Sequence, residues 1–164
     1  MAKQVQFRRG TDTDNNAFTG AVGEITVDTT NNQLRIHDGT TAGGNPTVVK
    51  NVSTTFTAPQ RGSITALTSA STITIDMDDN NFYSVTLGTN ATFANPTNIS
   101  VGQAGSIFIT QDGTGSRTAS WGSYWKFAGA TAPTLTTTAA AVDRIDYIVK
   151  SATEIHAVAT LAIA

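Results

Sequence analysis

Few of the 164 residues have types and spacings that could support chemistry. The two histidines, His37 and His156, lie far apart on strand-like segments. Zinc needs three or four converging ligands, and no HxH, HxxxH or HExxH spacing supplies them. Both are expected to be structural. Cysteine is absent, which removes disulfides and thiol-based metal sites. Asp76-Met77-Asp78-Asp79-Asn80-Asn81 gathers hard oxygens that calcium favours, but it lacks the glycine at the sixth position and the distal glutamate of an EF-hand loop. That run, like Asp12-Thr13-Asp14-Asn15-Asn16, reads as a polar turn. The only glutamates, Glu24 and Glu154, fall in separate modules and so do not suggest the paired carboxyls that flank the sugar bond in a glycosidase. No GxSxG elbow occurs, and Gly113-Thr114-Gly115 lacks the lysine of a phosphate loop. The expectation is a non-enzymatic chain with no catalytic residue, metal or cofactor.

Trp121, Tyr124 and Trp125 are the remaining candidates, clustered after a glycine-rich turn. Large rings in a small β-domain usually plug its core. A protein interface or stacking on a glycan are the alternatives for these three.

The elements that position these residues read as strands. Charged residues make up 13% of the chain, about half the usual share, and thirty threonines help fill the difference. Threonine suits strands because its branched Cβ packs on a pleated surface. Apolar residues alternate with polar ones at Ile25/Val27, Leu34/Ile36, Ile73/Ile75/Met77, Tyr83/Val85/Leu87, Ile107/Ile109 and Ile145/Tyr147/Val149. The last run places Ile155, Ala157, Ala159, Leu161 and Ile163 on one face. Turn-forming Asn, Asp and Gly clusters separate the runs, as at Asp38-Gly39, Asp79-Asn80-Asn81 and Asp112-Gly113-Thr114-Gly115. The only helix-like stretch is Thr138 to Ala141. The reading is all-β: a small N-terminal module over residues 1–50, a boundary between 46 and 62, and an antiparallel β-sandwich or barrel-like domain over 62–164. No fixed repeat period is visible, which argues against a solenoid.

Charge narrows the partners. A net charge of −2, with Arg8-Arg9 as the only basic doublet, makes no field for a phosphate backbone, so nucleic acid is not an expected partner. No run approaches the roughly 18 apolar residues of a membrane helix. Met1-Ala2-Lys3-Gln4 lacks the apolar core of a signal peptide, so a soluble chain without membrane insertion is expected.

The most specific pattern runs from Val5 to Gly44. It reads Phe7-Arg8-Arg9-Gly10-Thr11, then Gly23-Glu24-Ile25-Thr26-Val27-Asp28-Thr29, then Leu34-Arg35-Ile36-His37-Asp38-Gly39-Thr40-Thr41-Ala42-Gly43-Gly44. It resembles the N-terminal module of phage major tropism determinants, which occurs on tail-fibre and other particle-surface proteins. The resemblance implies an intertwined, trimeric β-module. Physics agrees, since a hairpin as short as Gly23–Asp38 cannot bury enough apolar surface alone. From Gly105 onward the chain also resembles a β-domain recurrent in phage structural proteins. The resemblance does not extend to the long lectin domain of the tropism determinant, which this chain is too short to hold. The expected function is that of a homotrimeric virion structural protein, either a capsid decoration (cement protein or head fibre) or a short tail-associated fibre. Its expected partners are the major capsid protein or another virion protein, with assembly in the host cytoplasm. The alternative is a carbohydrate-binding module that recognises a host surface glycan.

Overall fold

The computed structural model describes residues 7–47 and 59–163. The chain divides into two compact units, residues 1–60 and 61–164. The expectations for Met1–Gln4, Val5 and part of the 46–62 boundary lie outside the described residues.

In the first unit a four-stranded sheet has the order β1 (Arg8–Gly10), β2 (Ile25–Asp28), β3 (Gln33–Ile36) and β4 (Asn45–Pro46). β1 runs parallel to β2, while β2–β3 and β3–β4 are antiparallel. A short helix, α1 (Asp12–Asn16), follows β1. It occupies the stretch read from sequence as a polar turn. A reciprocal cap explains it: the Thr11 hydroxyl accepts the Asp14 amide, and the Asp14 carboxylate accepts the Thr11 amide at 3.0 Å. Thr138–Ala141, the stretch expected to be helix-like, is a turn. Four residues cannot nucleate a helix unless caps or tertiary contacts support them.

The second unit contains two sheets. The larger has the order β11 (Trp125–Phe127), β13 (Glu154–Ile163), β12 (Val142–Ser151), β9 (Ala104–Gln111), β7 (Phe82–Leu87) and β5 (Thr65–Ala66). The smaller has the order β10 (Ala119–Trp121), β8 (Ala91–Phe93) and β6 (Thr72–Ile73). Their inward side chains share one core, including Ile73 and Phe93 from the small sheet and Tyr83, Ile107, Ile145 and Ile155 from the large one. All of these except Phe93 are positions marked by the period-two alternation.

The all-β class holds, but antiparallel pairing is confined to β2–β3–β4 and β9–β12–β13. The other six pairings among the described strands are parallel. From β5 to β11 the chain alternates between the two sheets, so each strand re-enters its sheet in the direction of the one before. The crossover that parallel strands require is therefore a strand of the opposite sheet. In this segment the turn signals at Asp79-Asn80-Asn81 and Asp112-Gly113-Thr114-Gly115 are arches between sheets, whereas Asp38-Gly39 lies on the β3–β4 reversal within one sheet. This winding is solenoid-like, contrary to expectation. It escaped repeat detection because the turns differ in length: successive large-sheet strands begin at Thr65, Phe82 and Ala104, and small-sheet strands at Thr72, Ala91 and Ala119.

The last strand also departs from simple alternation. Arg144 pairs with Thr160 and Val142 with Ile163, so one extra residue of β13 bulges there, and Ala162 has φ 53°. Ile155 and Ala157 are buried as expected, whereas Leu161 is largely exposed. Asp143 stabilises the bulge by accepting the amides of Ala162 and Thr136.

Candidate functional site

The hairpin β2–β3 has its polar face inward. Thr26, Asp28, Arg35 and His37 are buried, whereas Leu34 is 44% and Ile36 48% exposed. Cross-strand pairing puts Ile25 opposite Ile36 and Val27 opposite Leu34, so the outward face is a continuous apolar patch. Val22, in the preceding loop, is 82% exposed.

Arg35 organises the inner face. Its Nη2 donates to Asp28 at 2.7 Å and Asp12 at 2.6 Å, and its Nη1 donates to Asn16 Oδ1 at 2.7 Å and to the Gly43 carbonyl at 3.1 Å. One guanidinium therefore ties together α1, β2 and the loop before β4. Burial alone raises the pKa of Asp28. Hydrogen bonds from Arg35, the Asn31 side chain and the amides of Asn31 and Thr30 outweigh it, holding the carboxyl well below its ordinary value. The neighbouring His37 accepts the Gly20 N–H through Nδ1 at 3.1 Å. That backbone donor fixes the ring proton on Nε2, which donates to the Thr26 hydroxyl at 3.0 Å. His37 is thus hydrogen-bonded through both ring nitrogens. Arg35 and Asp28 were not singled out from sequence, although their alternation with Val27, Leu34 and Ile36 was the available signal.

The aromatic candidates occupy different environments. Trp125 is 5% exposed, and its Nε1 donates to the Ala94 carbonyl at 3.1 Å. Trp121 is half-buried, stacked on Phe93 at 4.6 Å and edge-on to Trp125 and Phe127. Tyr124 packs partly buried against the same core. His156, the second histidine, is a surface residue 2.8 Å from Glu154.

Part of each acidic run is engaged internally. Asp76 accepts two hydrogen bonds from the Asn98 amide group, and Tyr83 donates to the Asp76 carbonyl. Asp12 is engaged by Arg35 and Asn31. Among the described residues no three His, Asp or Glu side chains converge as a metal site would require. No helix among them is long and apolar enough to cross a membrane.

Residues 5–41 match the family model of the major tropism determinant N-terminal domain. Over these residues the first unit is similar to that domain. One relative, the tail fiber receptor-binding protein of Bordetella phage BPP-1, is 56% identical over 46 residues, covering 28% of this chain and 12% of that protein. A solved structure, the Major Tropism Determinant U1 Variant, aligns with 88% of this chain and 38% of its own at 26% identity, with a TM-score of 0.33. The chain therefore spans well under half the length of either relative.

Proposed function

We propose that this chain is a non-enzymatic structural protein of the bacteriophage particle surface, a capsid decoration or a short tail-associated fibre. In this reading the first unit joins three copies and attaches them, and the second unit is displayed. The observation that carries the proposal is the inverted hairpin. Leu34, Ile36, Ile25 and Val27 form an outward apolar face on a unit whose described buried side chains are all polar. An exposed patch of this kind marks a surface meant to be covered. Three copies around an axis would bury it three times over, and the match to a tropism-determinant module supports that arrangement. The partner on the particle would be the major capsid protein or another virion protein.

Light scattering on the full chain is expected to give three times the 17.1 kDa chain mass. Leu34→Asp combined with Ile36→Asp should reduce it to a monomer with the second unit still folded. Tagged wild-type protein added to particles lacking it should sediment with them, and the double variant should not. A double variant that stays trimeric and still joins particles would remove the basis of the proposal. Copy number in purified particles then separates decoration, with hundreds of copies, from a fibre, with a few dozen or fewer.

A further inference from the structure

The second unit holds a groove of about 520 Å³ whose lining includes Trp121, Trp125, Phe127, Ser123, Lys126 and Glu154. Its aromatic wall is built in advance. Phe93 backs Trp121 with nearly parallel rings, and the hydrogen bond to Ala94 anchors Trp125. The rim loop is fixed as well. Asn95 accepts the Tyr124 amide at 2.9 Å and donates to the Ser123 hydroxyl at 3.2 Å, and a Cβ on Gly122 would lie 2.4 Å from Asn95 Oδ1. Glycine is required for this approach.

The polar groups at the groove retain hydrogen-bonding capacity. Lys126 donates to the Ser123 carbonyl at 2.7 Å, and an ammonium has three donors. Glu154 accepts Lys150 and His156 at 2.8 Å each, which leaves lone pairs free on an ionised carboxylate. Hydrogen bonds from Lys150 and then His156 lower its pKa to about 2.

Rigid aromatic surface beside a donor and an acceptor matches a sugar ring. A pyranose has an apolar C–H face that packs on aromatic rings and hydroxyls that donate to a carboxylate while accepting from an ammonium. An apolar peptide side chain would cover Lys126 and Glu154 without using the donors and lone pairs that their bonds to Ser123, Lys150 and His156 leave over, at a desolvation cost. We propose that this groove binds one hexopyranose unit of a surface polysaccharide. The surface origin of that sugar rests on the particle-surface reading; the saccharide chemistry rests on the groove alone.

Both tryptophans of the chain line the groove, so intrinsic fluorescence should report its occupancy. The full chain would be titrated with oligosaccharides of glucose, mannose, galactose, N-acetylglucosamine and galacturonic acid to about 20 mM, enough to saturate a millimolar site. At least one series should give a saturable emission change. Ala132→Phe, which fills the groove from an exposed loop, should weaken that binding about tenfold or more, and Lys126→Met about fivefold. Val101→Ser, on the turn before β9, should leave it unchanged. The proposal fails if no saccharide gives a saturable change, or if the change survives both groove variants. A response to tri-leucine alone would also overturn it and reassign the groove to peptides. Trimer mass and particle incorporation should be the same in Ala132→Phe as in wild type, so failure here is distinguishable from failure of the surface-protein reading.

Discussion

The two units are built on opposite principles. The described buried side chains of the first are Asn15, Thr26, Asp28, Arg35 and His37, all polar. The second buries seventeen hydrophobic residues against two polar ones, Gln111 and Asp143. Apolar burial is strong and non-directional, contributing roughly 1.5–3 kcal/mol for each large side chain. A hydrogen bond contributes about 1 kcal/mol net, and a buried ion pair can cost more in desolvation than it returns. The Arg35 network therefore defines geometry without supplying much drive to fold. The apolar surface that could supply that drive faces outward on Leu34 and Ile36. On the proposed reading, the second unit can stand alone while the first depends on being covered.

Breaking the second unit should show its independence most clearly. Phe93→Ala should cost about 3–5 kcal/mol through loss of burial and the cavity left under Trp121. Both tryptophans lie in this unit, so urea unfolding followed by their emission reads it directly. Hydrogen exchange in residues 7–47 should stay at wild-type rates, and acceleration there would show that the units fold as one.

Breaking the polar network tests the other side. Asp28→Ala leaves Arg35 short of a carboxylate and two backbone amides without their acceptor. Removing one partner of such a pair should cost about 3–5 kcal/mol, visible as faster exchange across residues 7–47 with tryptophan emission unchanged. Acid should act in the same direction. Because folding lowers the Asp28 pKa, its contribution is present above the unfolded carboxylate value near ~4 and is lost as pH falls below it. Limited pepsin digestion from pH ~4 down to ~2 should then cut the first unit before the second. Simultaneous cleavage of both would mean that Asp28 is not what holds the first unit.

Gly39→Val should have the smallest effect. Gly39 has φ +81°, and an added Cβ would sit 3.0 Å from Val22 Cγ2. Backbone strain at such a position costs about 1–3 kcal/mol, and it should fall on the first unit alone. A melting profile for the second unit that moves with this substitution would blur the contrast.

Sequence patterns by themselves determined the β class, the inward residues of β7, β9 and β12 and the tropism-determinant-like motif over the first unit. Period-two alternation at Tyr83/Val85/Leu87 and Ile145/Tyr147/Val149 is a direct consequence of strand geometry, so the pattern carries the face with it. Alternation marks two faces without saying which is inside, and at Val27, Asp28, Leu34 and Arg35 only the fold places the polar set inward. Strand direction is equally silent in one dimension. A glycine- or asparagine-rich turn can reverse a strand within its sheet or carry it to another, and the choice depends on where distant strands already lie. The extra residue in β13 depends likewise on its partner β12, since a bulge exists only in a pairing. The groove beside Trp121 also needed the fold, because residues 121–127, Ala132 and Glu154 converge only after β11 docks parallel to β13. Contacts between residues far apart in sequence are set by tertiary packing, and local patterning does not encode them.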